Sequence, residues 1–131
     1  MVLTSGVFDG LHAGHIHYLE EAASYCTDAE ALVVALASDD YVRVCKGREP
    51  RWSADDRAYV LAQLPYVDSV VSHDEDGAAE VIRELRPRLF IKGGDWLTLP
   101  DDDALACQEV GAQVIRTPEW PCRHSSEAFP S

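Results

Sequence analysis

Lysine is nearly missing from this sequence. Only two of the eleven Lys and Arg residues are lysines (Lys46 and Lys92), and the eleven face 23 Asp and Glu residues, for a net charge of −12. So acidic a chain argues against a nucleic-acid backbone or an anionic membrane surface as partner. No apolar run approaches the ~18–20 residues that cross a bilayer, and no basic stretch precedes an apolar one at the N-terminus. A soluble, cytoplasmic protein is expected. The four cysteines (Cys26, Cys45, Cys107, Cys122) form no CxxC pair and no disulfide spacing, which points to free thiols in a reducing compartment. The first turn lacks GxGxxG and no acidic residue closes the second strand in the NAD pattern, Asp39 being the nearest, so dinucleotide redox chemistry is disfavoured. Repeats, linkers and low-complexity tracts are also missing.

What remains is an alternation of buried strands and amphipathic helices over a chain long enough for one domain that buries roughly two-thirds of its unfolded surface. Val2 to Phe8 and Ala31 to Ala37 read as buried strands, β-branched and aromatic with no helical period. His15 to Tyr25 carries Ile16, Leu19, Ala22 and Ala23 at helical spacing. Ser53-Ala-Asp-Asp56 opens a helix that runs to about Leu64, before Pro65. Val67 to Ser72 is a third strand, Gly77 to Leu85 a helix, and Leu89 to Ile91 a fourth strand stopping at Gly93-Gly94. Pro100 and three aspartates start a further helix, closed by Gly111, and Ala112 to Ile115 is a fifth strand. This order predicts an α/β fold: a Rossmann-like, doubly wound five-stranded parallel sheet with helices on both faces. Ligands of such sheets bind beyond the carboxyl ends of the strands, where the winding reverses. The segments with unusual chemistry fall there: Asp9 to His15, Ser38 to Arg57, Lys92 to Trp96, and the stretch after Arg116.

The first of these carries the sharpest signal. Strand 1 runs through Gly6-Val7-Phe8-Asp9-Gly10-Leu11 into His12-Ala13-Gly14-His15 and a helix start. Glycines let backbone approach a phosphate, and the N–H groups of a helix N-terminus favour anions. Two histidines three residues apart can face one bound group and donate hydrogen bonds to its oxygens. Metal ligation is the weaker alternative. His17 should point to another face, and no further Cys/His cluster completes a ligand set.

These residues resemble the His-x-Gly-His cytidylyltransferase-like nucleotidyltransferases. Lys46-Gly47 with Ser53-Ala-Asp-Asp-Arg57 is similar to their lysine loop and arginine-bearing helix, and Ile91-Lys92-Gly93-Gly94-Asp95-Trp96 to their glycine–aspartate loop. Arg123-His124-Ser125-Ser126 stands where the family has a hydroxyl-rich motif. The resemblance implies that Val7, Phe8, Asp9 and Gly14 line the nucleotide, with His12 and His15 on its triphosphate. Lys46 would join the histidines as a catalytic group. Lys92, Gly94, Asp95, Ser125 and Ser126 would complete the nucleotide site, and Arg57 and Arg123 would bind the acceptor. Arg57 has a second reading, a surface salt bridge with Asp55 or Glu49. The last motif departs from the family pattern, and the chain stops five residues after Ser126. Residues 1–131 are therefore expected to form a single nucleotidyltransferase domain, cut from a longer or bifunctional polypeptide or with a drifted final motif.

The implied reaction is attack by an acceptor phosphate or phosphonate oxygen on the α-phosphorus of a nucleoside triphosphate, releasing pyrophosphate. Mg²⁺ would ride on the phosphates, with no protein metal cage. Gly94-Asp95-Trp96 in a compact single domain looks like glycerol-3-phosphate cytidylyltransferases, and the short C-terminal end suits a phosphonate cytidylyltransferase domain of a bifunctional enzyme. CTP with a small phosphate or phosphonate acceptor is therefore favoured. Lys46-Gly47 and Lys92-Gly93-Gly94-Asp95 look like the adenylyltransferases that activate heptose 1-phosphate with ATP. A non-catalytic nucleotide-binding module is the alternative of another class. The family resemblance also allows a homodimer.

Overall fold

The structure, a computed structural model, describes residues 1–74, 77–93 and 100–117. Five strands form one sheet: β1 (Val2–Gly6), β2 (Leu32–Ala37), β3 (Ser69–His73), β4 (Leu89–Lys92) and β5 (Gln113–Arg116). Their order across the sheet is β3-β2-β1-β4-β5 and every neighbouring pair is parallel. The helices are α1 (Ala13–Ser24), α2 (Asp39–Lys46), α3 (Ala54–Ala62), α4 (Ala79–Leu85) and α5 (Asp101–Val110). None of the described helices is long and apolar enough to cross a membrane.

Strand residues alternate between faces, and that parity divides the interior into two layers. Val2, Leu32, Val34, Leu36, Leu89 and Ile91 pack with Leu19 and Ala22 of α1 and Leu61 of α3. Leu3, Val33, Ala35 and Phe90 pack on the other side with Val81 and Ile82 of α4 and Ala106 and Cys107 of α5. Burial on both sides explains why the central strands lack an apolar–polar alternation. The chain winds outward from β1 in both directions, so the reversal lies between β1 and β4. The doubly wound α/β fold expected from the sequence is therefore present.

Three local differences from the sequence reading matter for function. β1 ends at Gly6, two residues early, because Phe8 adopts φ +49 and leaves the extended region. α1 begins at Ala13, so the first histidine is its N-cap. A short helix absent from the sequence reading, α2, follows β2: Ser38 caps it by accepting the Tyr41 N–H at 3.0 Å, and Gly47 at φ +68 ends it.

Candidate active site

The turn from β1 to α1 is built by side chains closing on backbone. His12 Nδ1 accepts the Gly14 N–H at 3.0 Å, and His15 Nδ1 accepts the His12 N–H at 3.3 Å. This is a reciprocal capping box with histidines in the places more often taken by Ser/Thr and Glu. An imidazole that accepts at Nδ1 carries its proton on Nε2, so the cap selects the same tautomer for both rings. The rings lie with centroids 3.9 Å apart, tilted by 32°. The Phe8 ring meets His15 edge-on at 5.5 Å, and a Cβ on Gly6 would come within 2.7 Å of that same ring. Gly6 thus makes room for Phe8, Phe8 backs His15, and both histidines present Nε2–H donors at a helix N-terminus. Such a start, with its partial positive charge, suits a phosphate.

Asp9 has a role that sequence spacing did not show. Its carboxylate is buried and receives the Arg51 N–H (2.7 Å), the Trp52 N–H (3.0 Å) and the Arg48 guanidinium (2.8 Å). Burial pushes this carboxyl up. The hydrogen bonds from Arg51, Arg48 and Trp52, with the Arg48 charge, outweigh burial and hold it below its ordinary value. The carboxylate expected to line a nucleotide anchors the 48–52 loop beside the turn.

The expectation that Arg57 binds the acceptor meets a different arrangement, and so does its surface alternative. Arg57 is 2% exposed. Nε donates to Trp52 O, Nη1 to Val7 O and Ala37 O, and Nη2 to the Asp39 carboxylate, at 2.7–3.0 Å. Asp39 also accepts the Ala54 N–H at 2.9 Å. The guanidinium therefore ties the ends of β1 and β2 to α2 and α3, and is spent on that task. Lys92 is likewise interior: 5% exposed, its Nζ donates to Ser5 Oγ at 2.7 Å and lies 5.4 Å from the Phe90 ring centroid. Strand parity sends it towards α4 and α5, away from the histidine turn. Asp103 of α5 is fully buried near it. Burial raises the Asp103 carboxyl above its ordinary value, against the Ala78 N–H and the Lys92 charge.

Lys46 is exposed at the last position of α2. His17 is exposed on α1. Gly94, Asp95, Ser125, Ser126 and Arg123 lie outside the described residues. Among the described residues no cluster of three or more His, Cys, Asp or Glu could hold a metal ion.

Comparison with known proteins agrees with this geometry. The family described as cytidylyltransferase-like matches residues 3–120. A D-beta-D-heptose 1-phosphate adenylyltransferase of Bordetella bronchiseptica is 48% identical over 105 residues, covering 77% of this chain and 63% of that protein. The bifunctional protein HldE of Aliarcobacter butzleri is 44% identical over 97 residues, or 73% of this chain and 20% of that protein. The chain thus spans about a fifth of the bifunctional relative and under two-thirds of the shorter one. Among solved structures, a lipopolysaccharide core biosynthesis protein of Thermoplasma volcanium superposes with a TM-score of 0.75 at 27% identity, covering 91% of this chain and 96% of that one. The histidine-capped turn at the winding reversal and the match along nearly the whole chain lead to one conclusion: this protein belongs to the cytidylyltransferase-like family of nucleotidyltransferases.

Proposed function

We propose that residues 1–131 act as a single nucleotidyltransferase domain that transfers AMP from ATP to a sugar 1-phosphate. The observation that carries the transfer chemistry is the reciprocal His12–His15 cap at the start of α1. The preference for ATP over CTP draws support from the adenylyltransferase relative at 48% identity, which acts on a heptose 1-phosphate by its name. The sequence reading favoured CTP from Gly94-Asp95-Trp96, a segment shared in outline by several branches of the family. Identity over 105 residues samples far more of the site than three positions do.

In this reading an oxygen of the sugar phosphate attacks the α-phosphorus of ATP. A P–O bond forms there, the bond to the β-phosphate bridging oxygen breaks, and pyrophosphate leaves with the electron pair. The acceptor oxygen is already anionic, so no general base is required. Catalysis is then positioning and charge stabilisation. His12 and His15 donate to phosphate oxygens, and the dipole of α1 adds to their effect. Lys46, exposed at the end of α2, supplies a mobile positive charge for the α-phosphate. Mg²⁺ would be held by phosphate oxygens, because the nearby carboxylates Asp9 and Asp39 are already committed to Arg48 and Arg57.

The test is a pyrophosphate-release screen crossing ATP, CTP, GTP and UTP with sugar 1-phosphates, glycerol phosphate and small phosphonates. Release is expected with ATP and a sugar 1-phosphate. Release only with CTP and a glycerol phosphate or phosphonate would overturn the choice of base. Nucleotide binding without release in any pairing would identify a non-catalytic nucleotide-binding module. His15→Ala and Lys46→Ala are each expected to lower turnover by at least ~100-fold, the scale of losing one preorganised donor, with the fold retained.

A further inference from the structure

Arg51 stands out against the arginines that hold a carboxylate. Arg43, Arg48, Arg57, Arg83 and Arg88 each grip a carboxylate. Among the described residues the Arg51 guanidinium has no ion-pair partner, in a chain with about twice as many acidic as basic groups. Its backbone is nevertheless fixed. The Arg51 N–H sits on Asp9 Oδ2 at 2.7 Å, the next residue's N–H on Oδ1 at 3.0 Å, and Arg48 Nη1 neutralises the same carboxylate. Asp9 adjoins Gly10, so this anchor brings the side chain back across the turn. A Cβ on Gly10, whose φ is +100, would lie 4.0 Å from Arg51 Nη1. Arg51 itself is exposed. This guanidinium, without an ion-pair partner among the described residues, is therefore held beside the glycine turn, two residues before the capping histidines.

We propose that Arg51 is a phosphate-binding residue: its guanidinium takes oxygens of the phosphate group bound over the Gly10 turn. The fork geometry of arginine suits two phosphate oxygens at once. Asp9 serves it as a positioning residue, fixing its backbone while Arg48 absorbs the carboxylate's charge. The phosphate belongs either to the triphosphate or to the sugar phosphate. That choice rests on the nucleotidyl-transfer reading, whereas the presence of an anion site does not.

Two measurements on the full chain test this. The first is calorimetric binding of inorganic tripolyphosphate and of inorganic phosphate to the wild type, Arg51→Ala, Arg51→Lys and, as a control, Arg83→Ala. Arg51→Ala should weaken binding about 10-fold or more, the scale of a hydrogen bond to a charged group, with Arg51→Lys between and Arg83→Ala unchanged. The second is steady-state kinetics. A rise in KM for ATP alone assigns the residue to the triphosphate, and a rise for the sugar phosphate alone assigns it to the acceptor. Wild-type affinity in Arg51→Ala for both anions would overturn the proposal, as would failure of the wild type to bind either. Loss of tripolyphosphate binding in Arg51→Ala, with no pyrophosphate release from any substrate pair, would uphold the anion site and remove the nucleotidyl-transfer reading. An unchanged thermal midpoint for Arg51→Ala separates lost binding from lost structure.

Discussion

A guanidinium taken out of water needs partners for its N–H groups, and Arg57 finds four, three of them 18 to 50 residues away in the chain. Arg57→Ala would leave the carbonyls of Val7, Ala37 and Trp52 and the Asp39 carboxylate short of a donor. Arg57 is buried and Asp39 only half-buried, so denaturant unfolding should show a loss of about 3 kcal/mol, the lower end for breaking a buried pair. Gly6 works on a finer scale. Gly6→Ala places a methyl where the Phe8 ring now sits, 2.7 Å from its edge. The ring that backs His15 must move, and turnover should fall by about 10-fold or more while stability drops by about 1–3 kcal/mol. Comparing kcat with the urea midpoint separates the two effects. At this scale the sequence was legible where several cues met: strand end, glycines, paired histidines and helix start all converge on His12 and His15. Arg57 was not legible. Arginine is usually exposed, and nothing local announces that three carbonyls from separate segments will converge on it.

The elements carry their own logic. Helix α2 escaped the sequence reading because eight residues give little more than two turns of periodicity, and four of its positions are charged. Its local signals lay at its ends: the Ser38 cap, the acids Asp39 and Asp40 in its first turn, and Gly47 after its last. Its role is to deliver Asp39 to Arg57 and to set Lys46 at its far end. The loop after it depends on Asp9, and the pH dependence follows from the lowered carboxyl. A folded value below the ordinary 3.8 contributes stability that is complete above about pH 5 and is lost as pH falls through the folded value. Asp9→Asn should therefore be less stable than wild type at neutral pH, and the gap should close in acid; unfolding free energies from pH 7 down to pH 2.5 would show it. At the start of α4, Gly77 has φ +105, and a Cβ there would lie 2.6 Å from the Asp103 carboxylate. Gly77→Ala should cost about 1–3 kcal/mol, measured by thermal unfolding.

For the whole molecule, the parallel sheet with helices on both faces was legible in the sequence, because continuous apolar strands alternating with helices are what a sheet buried on each side requires. Cys107 reports on the layer under α4 and α5. It is 2% exposed, and burial, helped by the Asp103 charge, pushes its thiol up to about 11. Cys45 is exposed on α2. Alkylation at pH 8 followed by mass spectrometry should mark Cys45 quickly and Cys107 only as fast as that layer opens.

The histidine cap has a consequence for dynamics. In the proposed reaction the two side chains that meet the phosphates also hold the first turn of α1 shut, so binding and local fraying draw on the same two rings. A phosphate that keeps both Nε2 protons engaged favours the tautomer that accepts the Gly14 and His12 amides. Occupancy of the site should then slow hydrogen exchange at those two amides more than at the middle of α1, which makes the helix start a gauge of whether the site is filled.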